Sequence, residues 1–357
     1  MFLFDNYPKK VSQQYYSDAR SKIIEFYAKN KDIISIYEYG SVSSPGVSDL
    51  DIILVLRDKI ESKEDDLNFS NIDSEVHSLV VDGTVIKMSE KIFNKICHFD
   101  KLNLKKLYGK DLSIDILSEE DQSILELISV VDWLPERILR LTKILNNEVI
   151  NIANVLCILH SFSYSIIKIN NITDYPSKSD GTLSVIKSLR NDWHNLANPE
   201  KILVTCIKNS ITLGYTYLLM FMKFLESQDI YQNINTTYPD DLTLELFENH
   251  YIKFVSVSQY SDMESSAIKS SNSLKSFVHI PDFFYPHFYH LSIQNGELPI
   301  VIKGKINSFT TISEKSLSSR YKKVLTNKIN LAEKNAQFLK FNNLKKGLIR
   351  YGFHLRY

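Results

Sequence analysis

Hydrophobic and polar positions follow two rhythms along this chain, and the change of rhythm divides it. Between residues 13 and 30 the apolar positions Tyr16, Ala19, Ile23, Phe26 and Tyr27 recur at intervals of three and four, with Asp18, Arg20 and Lys22 between them. That spacing predicts an amphipathic helix. Residues 33–39 and 50–56 are short apolar runs of strand length. Beyond its aspartates the second is apolar on both faces, as in a strand buried in mid-sheet. Residues 57–75 are polar around Glu64-Asp65-Asp66 and predict a solvated connection. Residues 72–81 predict a short helix or strand, Asp82-Gly83 a turn, and residues 84–88 a third strand. Ser89, ahead of Ile92 and Phe93, opens another helix. Tyr108-Gly109-Lys110 predicts a further turn, followed by the apolar-rich residues 112–117.

From Glu119 to about Phe224 the period is helical. Ile124, Leu127, Ile128 and Val131 make one stripe, and Ile138, Leu139, Leu141, Ile144 and Leu145 another. Residues 155–169 and 203–225 are too apolar for surface helices, so a bundle packed against the N-terminal region is expected. Composition shifts again from about Asp240. Residues 277–290, dense in aromatics and histidines, predict a strand or loop buried against the bundle. His287 and His290 have no third ligand at suitable spacing, so a metal site there is not expected. Asn295-Gly296 signals a hairpin, with residues 298–302 as its return strand. Residues 313–344 predict a long helix with the apolar stripe Leu317, Tyr321, Val324, Leu325, Ala332, Ala336 and Leu339. There are no internal repeats. The expected fold class is an α/β (α+β) domain with a mixed sheet (1–118), a helical bundle (119–240) and a C-terminal α+β region with a long basic helix (241–357).

A chain of 357 residues suits two or three domains. With 44% hydrophobic and 24% charged residues it has the composition of a soluble globular protein, and 10 Gly and 9 Pro leave little room for flexible linkers. Cys97, Cys157 and Cys206 show neither pairing logic nor metal spacing, so a reducing, cytoplasmic setting is expected. The start, Met1-Phe2-Leu3-Phe4-Asp5, lacks the basic and apolar regions of a secretory signal. The most membrane-like stretch, 202–225, carries Lys208, Asn209 and Lys223, so a buried helix is expected and no membrane span. The zero formal net charge conceals an asymmetry. From Lys303 onward 13 Lys and Arg face two Glu, a net of eleven positive charges balanced elsewhere in the chain. That helix is expected to dock on the protein's own acidic surface, with nucleic acid as the weaker alternative.

The chemistry concentrates in residues 37–56, where an apolar run ends at Gly40-Ser41, a short polar loop follows, and Asp49-Leu50-Asp51 opens the next run. On a strand, side chains two apart point the same way, so Asp49 and Asp51 share a face. Two such carboxylates repel unless a cation sits between them, and hard oxygen ligands suit Mg²⁺, which is held by one or two carboxylates plus substrate phosphates. Gly40 permits close approach of backbone to a ligand and Ser41 offers a hydroxyl. A second cluster, Arg190-Asn191-Asp192-Trp193-His194, is either a substrate wall or a helix end with Trp193 in the core.

An apolar strand, Gly-Ser, a loop and apolar-flanked Asp-x-Asp together resemble the signature of the DNA polymerase β-like nucleotidyltransferase superfamily. Aminoglycoside adenylyltransferases and small bacterial nucleotidyltransferases belong to it. The resemblance covers roughly the first third of the chain. It implies that Gly40 and Ser41 bind the triphosphate of an NTP (ATP or CTP) and that Asp49 and Asp51 bind catalytic Mg²⁺. The implied reaction moves a nucleoside monophosphate to an acceptor, a small molecule or sugar, and releases pyrophosphate. The loop from Ser41 to Asp49 is shorter than in most antibiotic-modifying members, which argues against placing the chain among them. Family members carry a third carboxylate on the strand after Asp-x-Asp, but residues 84–88 contain no acid. Asp82, at the entrance of that strand, is the candidate, with Asp115 as runner-up. The missing acid also keeps a second reading open: a nucleotide-binding or scaffolding relative that retained the fold without the activity.

Overall fold

The computed structural model describes residues 2–68, 72, 76, 79, 85–99, 103–146, 148–173, 180–228, 242–247, 252–256, 274–279 and 317–344. In chain order the elements are β1 (Leu3–Asp5), α1 (Gln13–Tyr27), β2 (Ile33–Tyr39), β3 (Asp51–Leu56), β4 (Ile86–Ser89), α2 (Glu90–Phe93) and β5 (Leu104–Gly109). Then follow α3 (Glu119–Asn146), β6 (Val149–Asn151), α4 (Ile152–Thr173), α5 (Asp180–Asn191), α6 (Pro199–Ser227), β7 (Leu242–Phe247), β8 (Ile252–Ser256), β9 (Leu274–His279) and α7 (Leu317–Phe341).

The N-terminal sheet runs β4-β3-β2-β5 and is mixed: β3 and β4 are parallel, whereas β2 is antiparallel to both its neighbours. Strand alternation sorts β3 between two cores. Leu50, Ile52, Leu54 and Leu56 pack with Tyr16, Ala19, Ile23 and Tyr27 of α1. Ile53 and Val55 face the other way, with Tyr37, Ile86, Met88 and Phe93. Both faces are therefore covered, as the unbroken aliphatic run of β3 requires. A two-pronged bond from Arg20 to Glu38 (2.6 and 2.7 Å) fastens α1 to β2 on the first of these faces.

Two expectations need correction. The predicted turn at Tyr108-Gly109 is the end of β5: Gly109 adopts φ +87°, and a Cβ there would meet the Ile34 carbonyl at 2.2 Å. β5 escaped detection because it is an edge strand whose Lys105 and Lys106 are exposed. The third strand runs to Ser89, whose hydroxyl then caps α2 by accepting from the Ile92 amide.

Helices α3 to α6 form the second core, in which Ile128, Leu134, Ile138, Leu156, Leu159, Phe162, Leu218 and Phe221 are fully buried. Two helical segments, Ile152–Thr173 and Pro199–Leu225, are long and apolar enough by composition to cross a bilayer. In the structure α4 packs its apolar face on α3, α5 and α6. β8-β7-β9 form an antiparallel sheet. The segment around His287 and His290 and the predicted hairpin at Asn295-Gly296 lie outside the described residues.

The C-terminal helix bridges the two cores. Tyr321 and Val324 enter the helical core, Leu331 and Ala332 cover the sheet beside Ile86, and Leu339 and Leu344 reach the α1 side. Asn335 donates to the Lys87 carbonyl at 3.3 Å. Arg320 contacts Asp121 (2.9 Å) and Glu120 (3.2 Å) in the first turn of α3. At that one residue the basic helix does meet the chain's own acids; both partners are largely exposed, so the pair contributes little.

Candidate functional site

Gly40 ends β2 with φ +79°, its amide donating to the Asn103 carbonyl at 2.9 Å. No atom lies within 4 Å of the Cβ position it lacks, so its open side faces free space. The loop that follows is held from two directions. On the sheet side the Tyr16 hydroxyl donates to the Ser48 carbonyl (2.6 Å) and accepts from the Gly46 amide (3.0 Å). Burial raises the pKa of that phenol and the charge of Asp49 adds to the rise, so the hydroxyl keeps its proton. On the helical side Asn191 accepts from the Ser44 hydroxyl (2.6 Å), and Arg190 donates to the Ser48 hydroxyl (3.3 Å) and the Leu156 carbonyl (3.3 Å). Ser48 also accepts from the Ser44 amide at 3.0 Å, closing the turn. Gly46, at φ +84°, is obligatory there, because a Cβ would sit 1.8 Å from the Lys9 carbonyl.

This clamped loop delivers Asp49 and Asp51 to a cavity of about 430 Å³, within the size range of small-molecule sites. Asp51 is the first residue of β3 and pairs with Tyr39, the residue before Gly40. Gly40, Ser41, Asp49 and Asp51 all line the cavity, so the four site residues expected from sequence are brought together.

The opposite wall is helical. On α4 the lining residues are Cys157, His160, Ser161, Tyr164, Ser165 and Lys168, one polar stripe on an otherwise apolar helix. Glu126, Ser129, Trp133 and Arg137 of α3 form a matching stripe. Lys168 donates to Ser129 (2.9 Å) and Arg137 to Ser161 (3.0 Å), while the Arg137 guanidinium lies 4.3 Å above the Trp133 ring. Burial, reinforced by the charge of Arg190, holds the His160 imidazole down to about 4, so it is neutral at pH 7. Burial also lowers the Arg190 pKa, but Cys157 and Asp49 pull it back up and a guanidinium stays charged.

The Arg190–His194 cluster divides between its two readings. Arg190 lines the cavity, Trp193 is a core residue with its edge toward Tyr7, and His194 is exposed. Asp115 does not reach the cavity; its carboxylate is half exposed, 3.9 Å from His98. Asp82 and Glu75 lie outside the described residues. On the described part of β4 the positions that share the Asp51 face are Ile86 and Met88, both apolar. The further acid that lines the cavity is Glu126, which sequence reasoning missed along with the rest of the helical wall. Its signal was present in the polar positions 157, 160, 161, 164, 165 and 168, spaced by three and one.

Among the described residues no group of three or more His, Cys, Asp or Glu is placed to hold a metal. Two adjacent carboxylates facing a cavity with room for phosphates nevertheless match how Mg²⁺ is held, with the substrate completing its shell. No protein-family model matches the chain, and comparison with curated proteins and with solved structures gives no significant match.

Proposed function

We propose that the protein is a Mg²⁺-dependent nucleotidyltransferase that moves a nucleoside monophosphate from ATP or CTP to a hydroxyl-bearing small molecule. The observation that carries this reading is the convergence of Gly40, Ser41, Asp49 and Asp51 on one cavity with a cationic wall opposite. Asp49 and Asp51 hold the metal, which supplies charge neutralisation at the phosphates and a lowered pKa for the attacking hydroxyl. The Ser41 hydroxyl and the backbone around Gly40 donate to the β- and γ-phosphates. The acceptor oxygen bonds to the α-phosphorus, the bond to the bridging oxygen breaks, and pyrophosphate departs with that electron pair. The hydroxyl proton passes to a carboxylate within reach of the acceptor, Asp82 or Glu126, and from there to water. Tyr16, Arg190 and Asn191 keep the loop in one shape through this sequence, so positioning costs little at the moment of reaction.

A second reading, a nucleotide-binding relative without transfer, draws on the apolar Ile86 and Met88 where a third acid would face Asp51. Incubating the protein with α-phosphate-labelled ATP or CTP and a small-molecule extract separates the two. Pyrophosphate release with a labelled, metal-dependent product is expected. Tight binding of the nucleotide with no release above that of Asp51→Asn would favour the second reading.

A further inference from the structure

We infer that the helical wall of the cavity is an anion subsite, built by Lys168 and Arg137 and taking phosphate groups independently of the aspartate pair. Both residues line the cavity and come from facing helices. Each cation is oriented by a hydroxyl of the other helix, Lys168 by Ser129 at 2.9 Å and Arg137 by Ser161 at 3.0 Å. A hydroxyl fixes the direction of a cationic head without cancelling its charge. Stacking on Trp133 at 4.3 Å further restricts the Arg137 guanidinium to one plane, and a planar fork is the geometry that grips phosphate with two N–H donors. Two cations thus share this wall with one acid, Glu126, and Arg190 adds a third positive charge to the lining. The neutral His160 and the hydroxyls of Ser161, Tyr164 and Ser165 fill the space between with uncharged hydrogen-bonding groups.

The stripe on α4 from Cys157 to Lys168 spans about 16 Å at 1.5 Å per residue, enough for a second ligand group beside one held at the aspartates. The shared chemistry is a phosphate or phosphate-like anion, and it has two sources: the triphosphate of the nucleotide, or an acidic group on the acceptor. The second source rests on the transferase reading above; the subsite itself does not. A polycationic acceptor is disfavoured by this wall.

The test uses the full chain carrying Asp49→Asn and Asp51→Asn, in a chelator, titrated calorimetrically with inorganic tripolyphosphate. Salt-sensitive binding is expected, weakened about tenfold or more by Lys168→Met or Arg137→Met and largely restored by Lys168→Arg. Equal affinity in the parent and both Met variants, or no binding at millimolar tripolyphosphate, would overturn the inference. Because Lys168→Arg keeps the charge, its recovery distinguishes loss of the subsite from loss of the fold. A second arm titrates inorganic phosphate into wild-type protein saturated with Mg²⁺ and α,β-methylene-ATP. Lys168-dependent binding that persists assigns the subsite to the acceptor, and exclusion by the nucleotide assigns it to the triphosphate. Tripolyphosphate binding in the first arm with no nucleotide binding in the second would sink the transferase reading and leave the subsite standing.

Discussion

Arg190 donates to the Ser48 hydroxyl at 3.3 Å, joining a helical residue to one 142 positions earlier in the loop that presents Asp49. The bond is buried, and its guanidinium also holds the Leu156 carbonyl, so the sheet and the bundle are coupled at the site itself. Replacing Arg190 by Met should loosen the loop and weaken Mg·nucleotide binding. Lys should rescue only part of the effect, because a single ammonium cannot reach both acceptors in the same geometry. Nucleotide affinity by calorimetry, together with protease sensitivity of residues 40–49, checks this.

Tyr16→Phe removes one donor and one acceptor from the same loop, at the Ser48 carbonyl and the Gly46 amide. The loss in stability should be about 1–3 kcal/mol, since both backbone partners are left in a partly buried setting. Urea unfolding of the two proteins measures it. No change in midpoint would mean that water replaces the hydroxyl without cost.

Protonation of His160 should make acid destabilising. Its folded pKa, about 4, lies below the ordinary value of 6.5, so between these limits the unfolded chain binds the extra proton. The stability tied to neutral His160 is complete above pH 6.5 and is lost as pH falls toward 4, by at most about 3 kcal/mol. His160→Gln should flatten that part of the stability–pH profile. An unchanged slope between pH 6.5 and 4 would contradict the assignment.

Deleting residues 313–357 should lower thermal stability. Leu331, Ala332 and Leu339 close the sheet cores, and Tyr321 and Val324 the helical one. Removing such a helix exposes apolar area on both sides at once. If the melting temperature is untouched while salt-sensitive RNA or DNA binding disappears, the basic helix is a nucleic-acid element instead.

The two candidate carboxylates separate kinetically. Asp82→Asn should slow transfer strongly and spare NTP binding if it is the acid that receives the acceptor proton. Glu126→Gln should do so if that role belongs to the helical wall. Single-turnover rates at saturating NTP across pH decide between them, because the true base removes the acidic limb of the profile when neutralised.

The aspartate pair and Gly-Ser were legible because they are local: one loop joins two adjacent antiparallel strands, and period-two alternation places the rest. The helical wall was not legible in the same way. Its members are isolated polar residues within helices whose apolar majority dominates the pattern, and their convergence depends on how α3 packs on α4. Lys168, Arg137 and Glu126 each look like a solvated residue until the facing helix is in place. The bridging by α7 was half legible. Its apolar stripe was readable, but which cores it would cover was not, because tertiary packing chooses the partner.

The central claim is that Asp49 and Asp51 form a metal-dependent nucleotide site, and calorimetric titration with Mg·ATP and Mg·CTP tests it most directly. Wild-type protein should bind one of them in a Mg²⁺-dependent manner, and Asp49→Asn and Asp51→Asn should each abolish that binding while their melting temperatures stay close to wild type. Unchanged affinity in both variants would contradict the account and remove the pair from the site.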